Sequence, residues 1–292
     1  MRRRDLLAGG LAATVSTAAH SARAGGPQDD WRNLEIASGG RLGFWVTQCG
    51  THQDFDFGYR ENERFLMCST FKALAVATVL HQVDQGRERL DRWIRYGRRD
   101  LQDYAPATKA HLGEGGMSLA DLCAGAIELS DNTAANLILA NVGGPAGVTR
   151  YIRSLGDSVT RLDRTEPELN RPHAASDWDT TTPKSMVSLW SRIVVGDSLS
   201  HVSKSRLNGW LVGCQTGSNR LPAALPKGWR IGHKTGSGST TIGDVAVITR
   251  PDQPHKPYLI AVYLDVPNAP SDAHDAIIAK VGHMALQFLS AT

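Results

Sequence analysis

Residues 69–82, with the sequence STFKALAVATVLHQ, predict a buried helix, which we place at Lys72–Gln85. Apolar side chains, among them Leu74, Val76 and Val79, occupy every face of this stretch. A helix that is apolar all round is enclosed by a core rather than lying on a surface. The position of this helix within the chain, with strand-like sequence before it and helical sequence after it, decides the fold class.

On either side of the central helix the sequence changes character. Polar, turn-rich segments separate the predicted elements, including a proline-bearing loop at about 161–179 that has no periodicity and whose length indicates function. Predicted strands lie at Leu42–Val46, around Asp54–Tyr59, and at Trp229–Thr235, Asp244–Thr249 and Tyr258–Leu264. Predicted helices lie at Ser118–Leu129, Thr133–Asn141, Pro145–Leu155, Pro183–Val195 and Ser271–Leu289.

This order predicts an α+β fold in which both chain termini form one antiparallel sheet with flanking helices, and an all-α domain is inserted between them. We expect residues 25–68 and 213–292 to form the α/β subdomain and residues 69–212 the all-α subdomain. No internal repeat is visible, and the 292 residues suffice for one large core or two closely joined subdomains.

The first 24 residues have the pattern of a cleavable export signal. Arg2, Arg3 and Arg4 precede an apolar run, and Ala22-Arg23-Ala24 offers the small-x-small site that signal peptidases cut after. The order Arg3-Arg4-Asp5-Leu6-Leu7 resembles a twin-arginine signal, and an ordinary secretory signal is the alternative. We therefore expect a secreted or periplasmic protein whose mature chain has no membrane span.

Charge and metal-ligand patterns exclude several classes of function. Without residues 1–24 the acidic and basic residues are equal in number, so there is no basic surplus for nucleic acid or anionic membranes. The four cysteines, at 49, 68, 123 and 214, have no CxxC spacing, and their disulfide state is left open. The histidines lack the spacing of a zinc hydrolase, so we expect neither a metal nor a cofactor.

Ser69-Thr70-Phe71-Lys72 is the first of three short motifs that carry chemistry. Residues three apart share one face of a helix, so Ser69 and Lys72 are expected to meet at hydrogen-bond distance. An amine beside a hydroxyl can accept its proton and activate it as a nucleophile. The alternative is an exposed Ser-Lys pair at a helix start.

The other two motifs are Ser130-Asp131-Asn132 and Lys234-Thr235-Gly236. A second serine can relay a proton to a leaving amine, and an asparagine can bind a substrate amide. Lysine and threonine at the end of a strand can hold a carboxylate, and Gly236 would leave room for substrate along the strand edge. The alternatives are a helix-capping turn and a plain β-turn.

Together these motifs resemble the penicillin-recognising serine enzymes, and a fourth element narrows the resemblance to the class A β-lactamases. That element is Glu166-Pro167-Glu168-Leu169-Asn170, which is similar to the family's E-x-x-L-N. Arg164 and Asp179 are placed to pair across the base of the loop. The resemblance spans residues 30–290 and implies a β-lactamase/transpeptidase-like fold and hydrolysis of penicillins and cephalosporins, giving antibiotic resistance.

The resemblance also implies a role for each catalytic residue. Ser69 would be the nucleophile and Lys72 its activating neighbour, while Ser130 protonates the leaving nitrogen. Glu166 with Asn170 would hold the hydrolytic water, and Glu166 would be the base for deacylation. Whether Lys72 or Glu166 takes the first proton is disputed for the family.

The resemblance assigns the remaining site residues to substrate binding. The backbone N–H groups of Ser69 and Ser237 would form an oxyanion hole, and Arg220 is expected beside the substrate carboxylate, with a surface arginine as its alternative. The carboxylate itself would be bound by Lys234, Thr235 and Ser237, next to Gly236, whereas Asn132 would bind the acylamide side chain and Tyr104 would line the entrance. The expected partner is a small β-lactam bound by a monomer.

The sequence departs from the family at two places. Trp178 stands where many relatives carry arginine, so the contacts that close the loop are expected to differ. Cys68 precedes the nucleophile, but Gly238 occupies the position of the carbapenemase-type partner cysteine, so that disulfide cannot form and Cys68 is expected to be a buried thiol. With Ser237 and Ser239 beside Gly238, we expect turnover of cephalosporins beside penicillins and no efficient carbapenem turnover.

Two other readings compete with the hydrolase. A penicillin-binding peptidase of the same fold would be acylated without rapid turnover, and a non-catalytic sensor would bind the drug only. Glu166 with Asn170 disfavours the peptidase, since deacylation needs a base on a water. A sensor needs a transmembrane relay, which the sequence after residue 25 does not supply.

Overall fold

The computed structural model describes residues 27–50, 56–174, 176–268 and 271–291. The strands are β1 Arg41–Gln48, β2 Asp56–Tyr59, β3 Phe65–Leu66, β4 Trp93–Arg95, β5 Gly116–Ser118, β6 Thr180–Thr181, β7 Arg230–Ser237, β8 Thr241–Thr249 and β9 Tyr258–Asp265. The helices are α1 Pro27–Ser38, α2 Phe71–Asp84, α3 Pro106–Ala110, α4 Leu119–Glu128, α5 Asn132–Asn141, α6 Gly144–Ser154, α7 Pro183–Trp190, α8 His201–Val212 and α9 Asp272–Ala291.

A five-stranded antiparallel sheet in the order β2-β1-β9-β8-β7 joins the two ends of the chain. Strand β1 pairs with β9 so that Trp45 lies opposite Ala261, and β8 pairs with β7 so that Val245 lies opposite Lys234. This confirms the predicted α+β class and the antiparallel sheet formed by both chain termini. Because β7 is an edge strand, its outer side is available to border a cleft.

The sheet separates two apolar cores. On one face the terminal helices α1 and α9 cover it, with Trp31 against Phe44 and with Ile278 and Val281 in the same cluster. On the other face a larger cluster combines sheet residues such as Tyr263 with the helices of the middle segment. Side chains alternate between the two faces of a strand, so both cores draw on the same strands.

Helix α2 lies at the centre of the larger core. Its first ten residues are all buried, including Lys72 and Thr78, and it contacts α4, α5, α6 and α8. The predicted bounds were one residue too late at each end. The burial of Lys72 in this helix is unusual, because a lysine is almost never fully buried without a partner for its charge.

Several elements differ from the sequence prediction. Helix α1 precedes β1, whereas the first element that we predicted was the strand at Leu42–Val46. The predicted helix at Pro183–Val195 is α-helical only to Trp190 and continues as a π-helical turn, Ser191–Val195. The middle segment is not purely helical, since β4 pairs with β5, and β6 pairs with β3.

Some predictions stay outside the described residues or untested. The signal segment 1–24 lies outside them, as do Asp54 and Phe55 at the start of the second predicted strand. The division into subdomains 25–68 with 213–292 and 69–212 stays a prediction. Among the helices that the structure describes, none combines the length and apolarity needed to cross a bilayer.

Candidate active site

Ser69 lies in a tight 3-10 turn, Cys68–Thr70, that leads directly into α2. The turn is fixed by Thr70, whose hydroxyl donates to the Met67 carbonyl at 2.7 Å and lies 3.0 Å from the Tyr263 hydroxyl. Cys68 has a φ of 46°, in the left-handed region that L residues rarely adopt. Such a residue costs free energy and persists where the surrounding structure holds it, which is typical of active sites.

Glu166, rather than Lys72, is the hydrogen-bond partner of the Ser69 hydroxyl. Ser69 Oγ donates to Glu166 Oε1 at 3.3 Å, and Lys72 Nζ lies 3.1 Å from the same oxygen. The expected direct hydrogen bond from Ser69 to Lys72 is therefore wrong in this structure. Lys72 Nζ instead donates hydrogen bonds to two other acceptors, the Ser130 carbonyl at 2.8 Å and Asn132 Oδ1 at 2.6 Å. Burial lowers the pKa of Lys72.

The Ser130-Asp131-Asn132 segment is both a helix cap and part of the site. Asp131 caps α5 by accepting from the backbone N–H of Ala134 at 2.8 Å, and it also accepts from Thr108. With Asp131 fixed, Ser130 adopts a φ of 58° and its hydroxyl lies 3.4 Å from Lys72 Nζ. The capping alternative and the catalytic interpretation are thus compatible, because different residues of the motif serve each.

Glu166 is held in place by a side chain that the sequence analysis missed. Asn136, one turn beyond Asn132 on α5, donates to the Glu166 carbonyl at 2.9 Å and accepts from the Glu166 N–H at 2.9 Å. Asn170 Nδ2 donates to Glu166 Oε2. The i, i+4 spacing of Asn132 and Asn136 on one helix face was the signal that could have identified Asn136.

Two charged residues close the loop that carries Glu166. Arg164 Nε contacts Asp179 Oδ2 at 2.6 Å, and Asp179 Oδ1 accepts from the backbone N–H groups of Asp163 and Arg164. Trp178 adds a further contact: its ring lies 4.3 Å from the His173 ring, centroid to centroid, and near the Arg164 guanidinium. Where the structure describes residues 161–179, the helical structure is limited to a 3-10 turn, Glu168–Asn170, so these side chains fix the loop.

Strand β7 brings the third motif to the same place. Lys234 Nζ donates to Ser130 Oγ at 3.1 Å, and Thr235 Oγ1 lies 2.6 Å from Thr216 Oγ1. Burial lowers the pKa of Lys234 to about 7. Gly236 meets a packing requirement that was not expected: a Cβ there would lie 2.7 Å from the Met67 carbonyl oxygen, so glycine lets β7 pack against the Ser69 turn.

Arg220 is buried, and its surface alternative is wrong. Its guanidinium donates to the Gly236 and Gly243 carbonyls and, at 2.8 Å, to Ser237 Oγ, and it pairs with Asp275 at 2.8 Å. The sequence analysis missed Asp275 of α9, because no local pattern connects it with Arg220, which lies 55 residues earlier in the chain.

The motifs border one cleft of about 320 Å³. Its lining includes Ser69, Tyr104, Ser130, Asn132, Asn170, Arg220, Thr235 and Ser237 together with Thr216, Gly217 and Asp275, which sequence reasoning missed. A larger cavity of about 510 Å³ lies elsewhere, between β1 and α7, and holds none of the motif residues. Chemistry rather than size therefore identifies the site.

Comparison with known proteins agrees with this geometry. Residues 27–289 match the model of the β-lactamase enzyme family. The chain is 40% identical to β-lactamase CTX-M-4 of Salmonella typhimurium over 265 residues, covering 90% of this chain and 89% of that one. It is 41% identical to β-lactamase L2 of Stenotrophomonas maltophilia, over 88% of this chain and 84% of the relative.

The chain belongs to the class A β-lactamases. Solved structures of that class include the β-lactamase of the last common ancestor of Gram-negative bacteria. It is 49% identical to this chain with a TM-score of 0.85, covering 90% of this chain and 98% of that chain. A β-lactamase from Burkholderia vietnamiensis is 40% identical with a TM-score of 0.86, covering 92% of this chain and 98% of that chain. As a class A β-lactamase, the protein hydrolyses β-lactams and confers resistance to them.

The thiols of this β-lactamase are consistent with the expectation for Cys68. Cys68, Cys123 and Cys214 are not disulfide-bonded. A Cβ at Gly238 would lie 2.7 Å from Cys68 Sγ, so the two positions adjoin but cannot be bridged. In the described residues no group of three or more histidine, cysteine or acidic side chains is arranged to hold a metal ion.

Proposed function

We propose that hydrolysis proceeds through an acyl-enzyme on Ser69. The observation that carries this proposal is the shared position of Glu166 Oε1, 3.3 Å from Ser69 Oγ and 3.1 Å from Lys72 Nζ. Glu166 contacts the nucleophile and Lys72 contacts Glu166, so either of these buried groups could take up the Ser69 proton, with Lys72 aided by its lowered pKa. Attack of Ser69 on the lactam carbonyl gives an oxyanion, which the N–H groups of Ser69 and Ser237 would stabilise.

Ser130 is the proposed proton donor to the lactam nitrogen. Its hydroxyl lies between two ammonium groups, 3.4 Å from Lys72 and 3.1 Å from Lys234. A hydroxyl in this position can give its proton to the departing nitrogen and regain one from Lys72. The proton removed from Ser69 thereby reaches the leaving group without crossing solvent.

Glu166 and Asn170 are the proposed hydrolytic pair. Asn170 directs its amide nitrogen at Glu166, while its Oδ1 is buried and accepts no hydrogen bond from the described part of the chain. A buried acceptor without a partner is costly, and a water bound between Asn170 and Glu166 would satisfy it. Glu166 would then deprotonate that water for attack on the ester.

The opposite end of the cleft has the chemistry of a carboxylate site. We assign the substrate carboxylate to Thr235, Ser237 and Lys234, next to Gly236, with Arg220 behind Ser237. Charge-assisted hydrogen bonds of this kind are the strong ones in proteins. Asn132 gives its oxygen to Lys72, which leaves its amide N–H₂ for the acylamide carbonyl of the drug. Tyr104, about half exposed, would line the entrance.

The proposed substrates are penicillins and cephalosporins. The strand edge at Ser237, Gly238 and Ser239 presents hydroxyls and little bulk, which suits the larger cephalosporin nucleus. Penicillin turnover with negligible cephalosporin turnover in steady-state kinetics would contradict this assignment. The proposed steps draw on side chains, backbone N–H groups and water. We further propose that the protein is a monomer that is exported through residues 1–24. Its mature chain would begin at Gly25.

The decisive experiment replaces Glu166 with alanine. Glu166→Ala should still be acylated, because Lys72 and the oxyanion donors remain, but deacylation should slow by at least about 10²–10⁴-fold. Intact-protein mass spectrometry after mixing with a penicillin should show one added drug mass that persists for many minutes. Ser69→Ala is the matched control and should show none. Normal turnover by Glu166→Ala without adduct would contradict the proposal and reopen the peptidase alternative.

A further inference from the structure

A second cluster of titratable side chains lies behind the carboxylate end of the cleft and has no part in the proposed reaction. His233 Nδ1 lies 3.0 Å from Asp244 Oδ1, and both residues are buried. The thiol of Cys214, which follows helix α8, lies beside the His233 ring, and each of the two groups shifts the pKa of the other. A nucleophile that contacts a base, with the base oriented by a carboxylate, is the arrangement that activates cysteine and serine in hydrolases.

The charges around the sulfur favour its ionised form. His233 and Lys234 of β7 adjoin it, Asp244 of β8 lies beyond His233, and Glu128 of α4 lies beside the preceding Gly213. Burial disfavours protonated His233, but Asp244 and Cys214 outweigh it and raise the pKa of His233 to about 10. Burial likewise disfavours the thiolate, but the neighbouring His233 and the charge of Lys234 outweigh it and lower the pKa of Cys214 to about 7.

Two other cysteines of the chain provide an internal contrast. Cys68 and Cys123 are buried to 1% and 0% exposure, and burial raises the pKa of both thiols. Cys214 is only partly buried. Thiol reactivity follows thiolate character and access, so these three residues should differ sharply.

Cys214 is also connected to the cleft. Its sulfur lies 3.4 Å from Thr216 Oγ1, which in turn lies 2.6 Å from Thr235 Oγ1. Thr216 and Thr235 both line the cleft. A group added to the sulfur would occupy the space beside Thr216 and break the hydrogen bond that orients Thr235.

We propose that Cys214 is a nucleophilic thiol, activated by His233 and Asp244, that takes up small soft electrophiles and thereby weakens binding of the β-lactam carboxylate. With iodoacetamide, the sulfur attacks the methylene carbon, an S–C bond forms, and the C–I bond breaks with its electron pair leaving on iodide. The thiol proton stays on His233. The reactivity of Cys214 is independent of the proposed function, whereas the effect on β-lactam binding rests on the proposed role of Thr235.

Labelling of the whole folded protein tests the reactivity. Peptide mass mapping after brief iodoacetamide treatment should show Cys214 alkylated at least about ten-fold faster than Cys68 and Cys123, since the rate follows the thiolate fraction and access. The rate should rise through pH 7. His233→Gln should slow alkylation of Cys214 roughly ten-fold at neutral pH, because one pKa unit changes the thiolate fraction by that factor. Asp244→Asn is the second variant and should act in the same direction. Labelling of Cys214 as slow as that of Cys123, or unaffected by both substitutions, would overturn the proposal.

Kinetics of the alkylated protein test the link to the cleft. The kinetics of the unmodified protein test the proposed hydrolysis by themselves. A failure of that proposal is therefore distinguishable from a failure of the proposed link between Cys214 and β-lactam binding. Alkylation should raise KM for a cephalosporin by about ten-fold, with a smaller effect on kcat, as expected for a lost hydrogen bond to a charged group. Cys214→Ser should keep its turnover after the same treatment. Unchanged KM after complete alkylation, or equal inactivation of Cys214→Ser, would refute the link.

Discussion

Arg220 obtains its place in the site from contacts that no local sequence pattern contains. The carbonyls of Gly236 and Gly243 and the carboxylate of Asp275 hold its guanidinium, and one nitrogen is left facing Ser237. The three motifs and the E-x-x-L-N element were enough to predict which side chains surround Ser69. Partners such as Asp275, Thr216 and Asn136 were missed, because they lie outside the motifs and only tertiary folding brings them to the site.

Replacing Arg220 tests its assignment to carboxylate binding. Arg220→Ala should raise KM by roughly ten-fold or more and lower kcat less, because a charged hydrogen bond made in the ground state is lost. Arg220→Lys keeps the charge but not the two-pronged geometry of the guanidinium, so its KM should lie between those of the parent protein and Arg220→Ala. Steady-state kinetics on a penicillin and a cephalosporin measure this. An unchanged KM for both substrates would remove Arg220 from the carboxylate site.

The charge of Lys234 predicts a pH dependence. Because burial lowers its pKa to about 7, the ammonium that we propose binds the carboxylate is present below that pH and is lost as pH rises through it. The value of kcat/KM should therefore decline above about pH 7. In Lys234→Arg the guanidinium stays charged, so the decline should move to higher pH. The same alkaline decline in both proteins would assign it to another group.

At the scale of elements, the loop at 161–179 is positioned by side chains rather than by regular structure. The sequence predicted its extent from the absence of periodicity, and the Arg164–Asp179 pair closes it. The two hydrogen bonds from Asn136 of α5 to the Glu166 backbone were not predicted, since the spacing of Asn136 from Asn132 indicates a shared helix face but not which loop that face contacts. Helix α1 was also missed, although Pro27 with the acidic residues after it is a typical helix start.

The two hydrogen bonds between Asn136 and the Glu166 backbone should matter more for deacylation than for substrate binding. Asn136→Ala removes both hydrogen bonds to the Glu166 backbone and should lower the free energy of unfolding by about 1–3 kcal/mol. It should also slow deacylation at least about ten-fold, because the base shifts from its water. Mass spectrometry during turnover should then detect acyl-enzyme that the parent protein does not accumulate. In Asn136→Asp the acceptor remains and the donor is lost, so its defect should be intermediate. Parent-like deacylation by Asn136→Ala would show that the loop keeps Glu166 in place without it.

At the scale of the whole molecule, the residues of the proposed site come from both sides of the boundary between the predicted subdomains. Ser69 and Ser130 belong to the helical segment, whereas Lys234 and Arg220 belong to the segment that completes the sheet. The larger core crosses the same boundary, since it contains Leu74 and Ile138 of the helices together with Tyr263 of β9. The sequence predicted one sheet from both termini, but a core shared between the segments depends on packing that a pattern of apolar residues does not specify.

This shared core predicts that the protein unfolds in a single step. If the segments 69–212 and 213–291 depend on one core, denaturant should abolish far-ultraviolet circular dichroism and tryptophan fluorescence with coincident transitions. Two matched truncations of core side chains sharpen the test: Ile138→Ala lies in the larger core and Ile278→Ala in the core under α9. Each should cost roughly 2–5 kcal/mol and shift both probes together. Independent subdomains would give separated transitions, with each substitution displacing only one. That result would contradict a shared core, because two segments that stabilise each other across the boundary cannot unfold separately.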